Sequence, residues 1–177
     1  MEREKILTKS WQSQLRKIQK QLLKKKTDPV IAILGIGNDV KGDDVAGVLA
    51  LEKLKTCFRL NPSGKSVFIY NCGSVPENFS GSLRKINPDY VLMIDAGDFN
   101  AFPGEIQFIE WENIDGAEIS THTLPLSVFA GFLKVQLHCE TGILLIQPAN
   151  IDYFGPVDPK IESSAQVISE ELFSLFG

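Results

Sequence analysis

Val30-Ile31-Ala32-Ile33-Leu34-Gly35-Ile36, running on into Gly37-Asn38-Asp39-Val40-Lys41-Gly42-Asp43-Asp44, is the stretch on which the fold turns. An unbroken apolar run rich in β-branched side chains predicts a strand covered on both faces, as at the centre of a parallel sheet. The glycines of the following loop suit a tight turn that doubles back across the strand end. A helix is expected to start near Asp43, which is suited to cap it, with Val45, Val48, Leu49, Leu51 and Leu54 along its turns.

The same rhythm continues downstream. Val67-Phe68-Ile69-Tyr70 reads as a second strand, and Pro76-Glu77 opens a helix that continues through Leu83 and Ile86. Tyr90-Val91-Leu92-Met93-Ile94 is a third buried strand, with Asp95 where it ends. Glu105 to Glu110 alternates apolar and polar residues, which marks a half-exposed edge strand. Residues 111–121 lack periodicity and read as a loop. An apolar helix from Leu124 to Val135, a buried strand from Gly142 to Pro148 and an amphipathic helix from Pro159 to Phe176 complete the pattern. Strands alternating with helices predict an α/β fold: a three-layer sandwich whose mostly parallel, twisted sheet of about five strands is flanked by helices. Residues 29–177 would form that domain, and ligands are expected beyond the carboxyl ends of its strands.

Residues 1–28 differ in character. They hold nine basic and three acidic side chains, net +6, against nine and 19 in the remainder, net −10. Leu7, Trp11, Leu15, Ile18 and Leu22 make one apolar stripe, so a basic amphipathic helix is expected over residues 4–26, ended by Asp28-Pro29. It would pack on the domain or on a second copy, or else contact a partner or a membrane surface. The acidic body is a poor match for nucleic acid. No apolar run approaches the roughly 18 residues of a membrane span, and the start of the chain lacks a secretion signal, so a cytoplasmic protein is expected. Cys57, Cys72 and Cys139 have neither zinc-site nor redox spacing and read as buried or half-buried thiols.

Three segments carry candidate chemistry. Asp44 follows the first strand, Asp95 ends the third, and His122 lies after the edge strand within Ser120-Thr121-His122-Thr123. All three can reach one rim, and two carboxylates with an imidazole suit a borderline divalent cation with room left for a substrate ligand. Capping needs only one of Asp43 and Asp44, which leaves the second carboxylate available. Asp98 suits a turn cap. Gly35-Ile36-Gly37 does not extend to a dinucleotide fingerprint, because position 40 is Val and no acid ends the second strand. His138-Cys139-Glu140 falls on the opposite rim and reads as an inert surface turn. Ser74 has no evident base beside it.

Gly-Ile-Gly-Asn, Gly-Asp-Asp, Gly-Ser-Val-Pro-Glu-Asn, Ile-Asp-Ala-Gly-Asp, Pro-Gly-Glu-Ile and Ser-Thr-His-Thr-Leu-Pro-Leu occur in this order over residues 30–176. Together they resemble the maturation endopeptidases of [NiFe] hydrogenases, of the hydrogenase 3 (HycI-like) type. The resemblance implies a nickel-dependent endopeptidase that removes a C-terminal extension from a nickel-loaded large-subunit precursor. It implies Asp44, Asp95 and His122 as the nickel ligands and catalytic set, with the metal supplied by the substrate and the site empty in the free enzyme. A non-cleaving scaffold for the precursor and a small-molecule metallohydrolase are the competing readings. The resemblance does not extend to residues 1–28.

Overall fold

The computed structural model of the chain describes residues 10–60, 66–110 and 125–177. In chain order it contains α1 (Trp11–Lys25), β1 (Ile31–Ile36), α2 (Ala46–Leu60), β2 (Val67–Gly73), α3 (Ser80–Ile86), β3 (Tyr90–Ala96), β4 (Ile106–Glu110), α4 (Leu126–Leu137), β5 (Glu140–Ile146) and α5 (Pro159–Phe176). Short 3-10 turns at Gly42–Val45 and Pro76–Phe79 lead into α2 and α3. The sheet order is β2-β1-β3-β5-β4. Every pairing is parallel except β4 with β5, so the alternating segment is the antiparallel edge that its pattern predicts.

The central strands alternate between two apolar layers, as their period of two requires. Ile31, Ile33, Leu92, Ile94 and Leu144 face α1, α2 and α5. Ala32, Leu34, Val91, Met93 and Ile143 face α3 and α4. Every residue of β1 and β3 is buried, which accounts for their lack of polar alternation. The three-layer α/β sandwich expected from the sequence is what the chain adopts.

The stripe of α1 joins the first of these layers. Trp11, Leu15, Ile18 and Leu22 are buried in the protein's own core; Leu7 lies outside the described residues. Arg16 grips Glu171 of α5 through Nε at 2.9 Å and Nη2 at 3.2 Å, and Gln19 Nε2 donates to the Leu175 carbonyl. Burial of three such aliphatic side chains stabilises the fold by roughly 1.5–3 kcal/mol each, far more than an exposed ion pair. This apolar stripe therefore serves intramolecular packing. Among the described residues, no helix is long and apolar enough to cross a membrane.

Candidate active site

Two close approaches set the carboxyl ends of β1 and β3 against the start of α2. A Cβ at Gly47 would overlap the carbonyl oxygens of Ile36 and Ile94, the last residue of β1 and the residue before Asp95. Only a glycine lets α2 begin that near both strand ends. Gly37, at φ +151, crosses directly over the Asp44 carbonyl, where any side chain would overlap. Asn38 N–H then donates to that carbonyl at 3.2 Å, and Asp44 N–H donates to Lys41 O at 2.9 Å. The turn carrying Asp44 packs on β3. Asp44 and Asp95 thus occupy the same rim, 2% and 0% exposed.

The Asp43 carboxylate has a task that the sequence did not announce. Asp43 was expected to cap the helix beginning beside it. Instead the cap position is Lys41, with no side-chain bond, and Asp43 reaches another part of the chain. Its Oδ2 accepts from Ala149 N–H at 2.8 Å and Asn150 N–H at 2.9 Å, and its Oδ1 accepts from Asp158 N–H at 2.7 Å. Its own N–H donates to Asn150 O. Three charge-assisted bonds satisfy a fully buried carboxylate and pin the β5–α5 loop against the Asp44 turn. Asp43 therefore has a structural role.

Asp95 lies inside β3, which runs one residue further, to Ala96, than the sequence pattern indicates. Its Oδ1 accepts from Ala96 N–H at 2.9 Å. By strand alternation it falls on the face covered by α3 and α4, with Val91 and Met93. Among the described residues, no three His, Cys, Asp or Glu side chains are grouped to hold a metal. His122 and the expected loop of residues 111–121 lie outside the described residues, so of the expected set the structure places Asp44 and Asp95.

Neighbouring groups take supporting parts. Asp98 accepts from Asn100 N–H at 3.0 Å and from Gln147 Nε2 at 3.2 Å; these bonds hold its carboxyl below the usual range, and it is the turn cap expected. Gln147 escaped the sequence reading. Its buried Oε1 accepts from Phe99 N–H and Ala101 N–H, fixing the loop that leaves Asp95. The available signal was an amide placed directly before Pro148, where an otherwise apolar strand meets the rim.

The alternative nucleophiles recede. Burial pushes the Cys72 thiol up to about 12, and burial pushes Cys139 up to about 11, so neither supplies thiolate near neutrality. His138-Cys139-Glu140 was expected as a surface turn, and Cys139 as a buried or half-buried thiol. The turn is there, with His138 at φ +53 on the opposite rim, and Cys139 is buried against α4 as a thiol of that kind. Ser74 Oγ donates to the Gly37 carbonyl over 3.5 Å, a partner that cannot take its proton.

Apolar side chains are exposed on this rim. Val40, Tyr153 and Phe154 are 41%, 65% and 86% exposed. They stand in the two loops that Asp43 joins, with Phe154 N–H donating to Val40 O at 2.7 Å.

A mostly parallel α/β sandwich with two buried aspartates on the rim of its central strands defines a structural class, and comparison with known proteins narrows it. Residues 48–174 match the family model HycI, hydrogenase maturation protease. The chain is 33% identical over 141 residues to the hydrogenase 3 maturation protease of Escherichia coli K12, covering 79% of this chain and 86% of that protein. It superposes on the crystal structure of a [NiFe] hydrogenase maturation protease HycI from Thermococcus kodakarensis with a TM-score of 0.76 at 32% identity, covering 89% and 97% of the two chains. The solution structure of the endopeptidase HycI from Escherichia coli gives 0.68 at 30% identity, over 80% and 87%. The chain belongs to the HycI family of hydrogenase maturation proteases.

Proposed function

We propose that the chain is an endopeptidase that removes a C-terminal extension from the nickel-loaded large-subunit precursor of a [NiFe] hydrogenase, engaging the nickel through Asp44, Asp95 and His122. The observation that carries this reading is the convergence of Asp44 and Asp95, from separate crossovers, on one rim of a HycI-family fold.

Two carboxylate oxygens and an imidazole nitrogen are ligands that nickel accepts, and they leave coordination positions for groups the substrate supplies. The metal is then cargo that the enzyme reads. Engaging it brings the adjacent tail to the rim and makes cleavage conditional on nickel loading. Hydrolysis adds one water across the scissile C–N bond, the oxygen going to the carbonyl carbon and a proton to the departing amine. Metal bound to the substrate is suited to polarise that carbonyl or to activate the water. Three protein ligands alone make a weak site, so the free enzyme is expected to hold little nickel.

Exposed Val40, Tyr153 and Phe154 beside Asp44 suit a macromolecular substrate better than a small one. The test is incubation with nickel-loaded and nickel-free precursor, read by mass spectrometry of the precursor's C-terminus. A shortened product from the loaded precursor alone is expected. A bound but intact precursor would make the chain a scaffold, and shortening without nickel would remove the metal from recognition.

A further inference from the structure

The loop between β5 and α5 carries more than its hydrogen bonds require. Phe154 sits at φ +59, a left-handed conformation that is unusual for a bulky side chain, yet the residue is 86% exposed. Strain of this kind persists only where the surroundings over-determine it. Here the determinants are visible: Phe154 N–H bonded to Val40 O at 2.7 Å, Gly155 N–H bonded to Asp152 O, and Asp43 holding the N–H groups of residues 149, 150 and 158. Tyr153 lies beside Phe154, ring centroids 6.4 Å apart, and Lys41 Nζ stands 4.9 Å from the centre of the Tyr153 ring. Two aromatic rings are therefore held outward on a loop fastened to the residue next to Asp44. Packing within the chain does not repay that arrangement.

We infer that Tyr153 and Phe154, with Val40, form the docking surface for the folded body of the protein whose C-terminal tail is cut. This rests on the function proposed above and adds where the substrate's body is held. The occupant follows from continuity: any protein that brings its tail to Asp44 and Asp95 must set its body against the surface bordering that rim. Rigid, partly apolar rings are suited to anchor such an interface at small entropic cost. The anchor does not involve nickel, so it supplies affinity for loaded and unloaded precursor alike, while the metal decides cleavage. Asp43 makes docking surface and Asp44 one rigid unit, so a docked body fixes where its tail meets the carboxylates.

The decisive variant is Phe154→Asn, because asparagine accepts the left-handed conformation readily. It is expected to melt at the same temperature as the wild type or higher, yet to raise KM for the nickel-loaded precursor at least tenfold with kcat within twofold. Tyr153→Ser is expected to give a smaller rise in KM. Val135→Ser, which trims an exposed apolar residue on α4, serves as control and leaves KM unchanged. Calorimetry with nickel-free precursor provides a second readout: the wild type binds it, and Phe154→Asn binds at least tenfold more weakly. An unchanged KM and unchanged nickel-free binding in Phe154→Asn would overturn the docking assignment while leaving the proposed function intact. So would a wild-type dimer in sedimentation that Phe154→Asn dissolves, since the occupant would then be a second copy. Failure of the wild type to shorten any precursor would count against the function itself.

Discussion

At the amino ends of β1 and β3 the chain ties itself closed, whereas at their carboxyl ends it keeps buried acids and bare aromatic rings. On the first side Asp89 receives Lys26 Nζ at 2.8 Å and Val30 N–H at 2.7 Å, and Asp28 receives Ser66 Oγ at 3.0 Å. The stripe of α1 covers the neighbouring core. Burial, and then the charges of Glu110 and Glu140, push the Tyr90 phenol up and keep it neutral. On the second side Asp44 and Asp95 are buried, and Phe154 is exposed in a strained backbone. At one end acids close the chain on itself; at the other, Asp43 holds the loop on which Tyr153 and Phe154 are exposed. A protein that is rigid at one end of its sheet can hold such groups in place at the other.

This contrast breaks most visibly at the acids. Asp95→Asn and His122→Ala are each expected to lower precursor processing by roughly 10²–10³-fold, the scale of removing a group that touches the reacting centre, with little change in thermal melting. Processing within threefold of wild type by either variant would take that residue out of the site. Asp43→Ala is expected to cost roughly 2–4 kcal/mol, since three N–H groups lose their acceptor, and also to reduce processing about tenfold because the β5–α5 loop comes loose from Asp44. Urea unfolding and steady-state kinetics on the same sample check both halves. At the closed end, Leu15→Ala removes a fully buried side chain and should cost roughly 2–5 kcal/mol, with the specific activity of the folded fraction unchanged. A parallel loss of activity would show that α1 belongs to the site as well.

The smallest effect is electrostatic. Burial pushes the Asp89 carboxyl up, but the Lys26 ammonium and the Val30 N–H outweigh it and hold the group below its usual value. Its folded pKa is therefore lower than its unfolded one. The stability it contributes is complete above the unfolded value near 4 and is lost as pH falls through the folded value. With Asp89 and Lys26 both partly exposed, about 0.5 kcal/mol is at stake. Asp89→Asn should flatten the acid limb of the stability curve slightly and leave processing at neutral pH alone. Melting curves between pH 3 and 7 measure it.

The fold was legible wherever the deciding contacts are local or periodic. Unbroken apolar runs at residues 30–36 and 90–94 announced doubly covered strands, and strict alternation at residues 105–110 announced an edge. The stripe of α1 was readable as well, and the structure seats it on the chain's own core rather than on a second copy. The task of Asp43 was not legible. The N–H groups that occupy Asp43 belong to residues more than 100 positions later, and no neighbouring residue hints at them. Gln147 was missed for the same reason, since its partners at Phe99 and Ala101 meet it only across the sheet. The strain at Phe154 lies in backbone geometry, and a Tyr-Phe pair in a glycine-containing loop is an ordinary piece of sequence. Residue types at strand ends thus pointed to the rim, while the assignment of tasks within it required three dimensions.

The central claim is that Asp44, Asp95 and His122 grip the metal that the precursor carries. X-ray absorption at the nickel edge tests it most directly, on loaded precursor alone and on a rapidly frozen mixture with the enzyme. The account predicts that oxygen and nitrogen ligands join the nickel shell in the mixture and that this gain diminishes with Asp44→Asn, Asp95→Asn or His122→Ala. A nickel shell unchanged by the wild-type enzyme, in a mixture that goes on to yield shortened precursor, would contradict it.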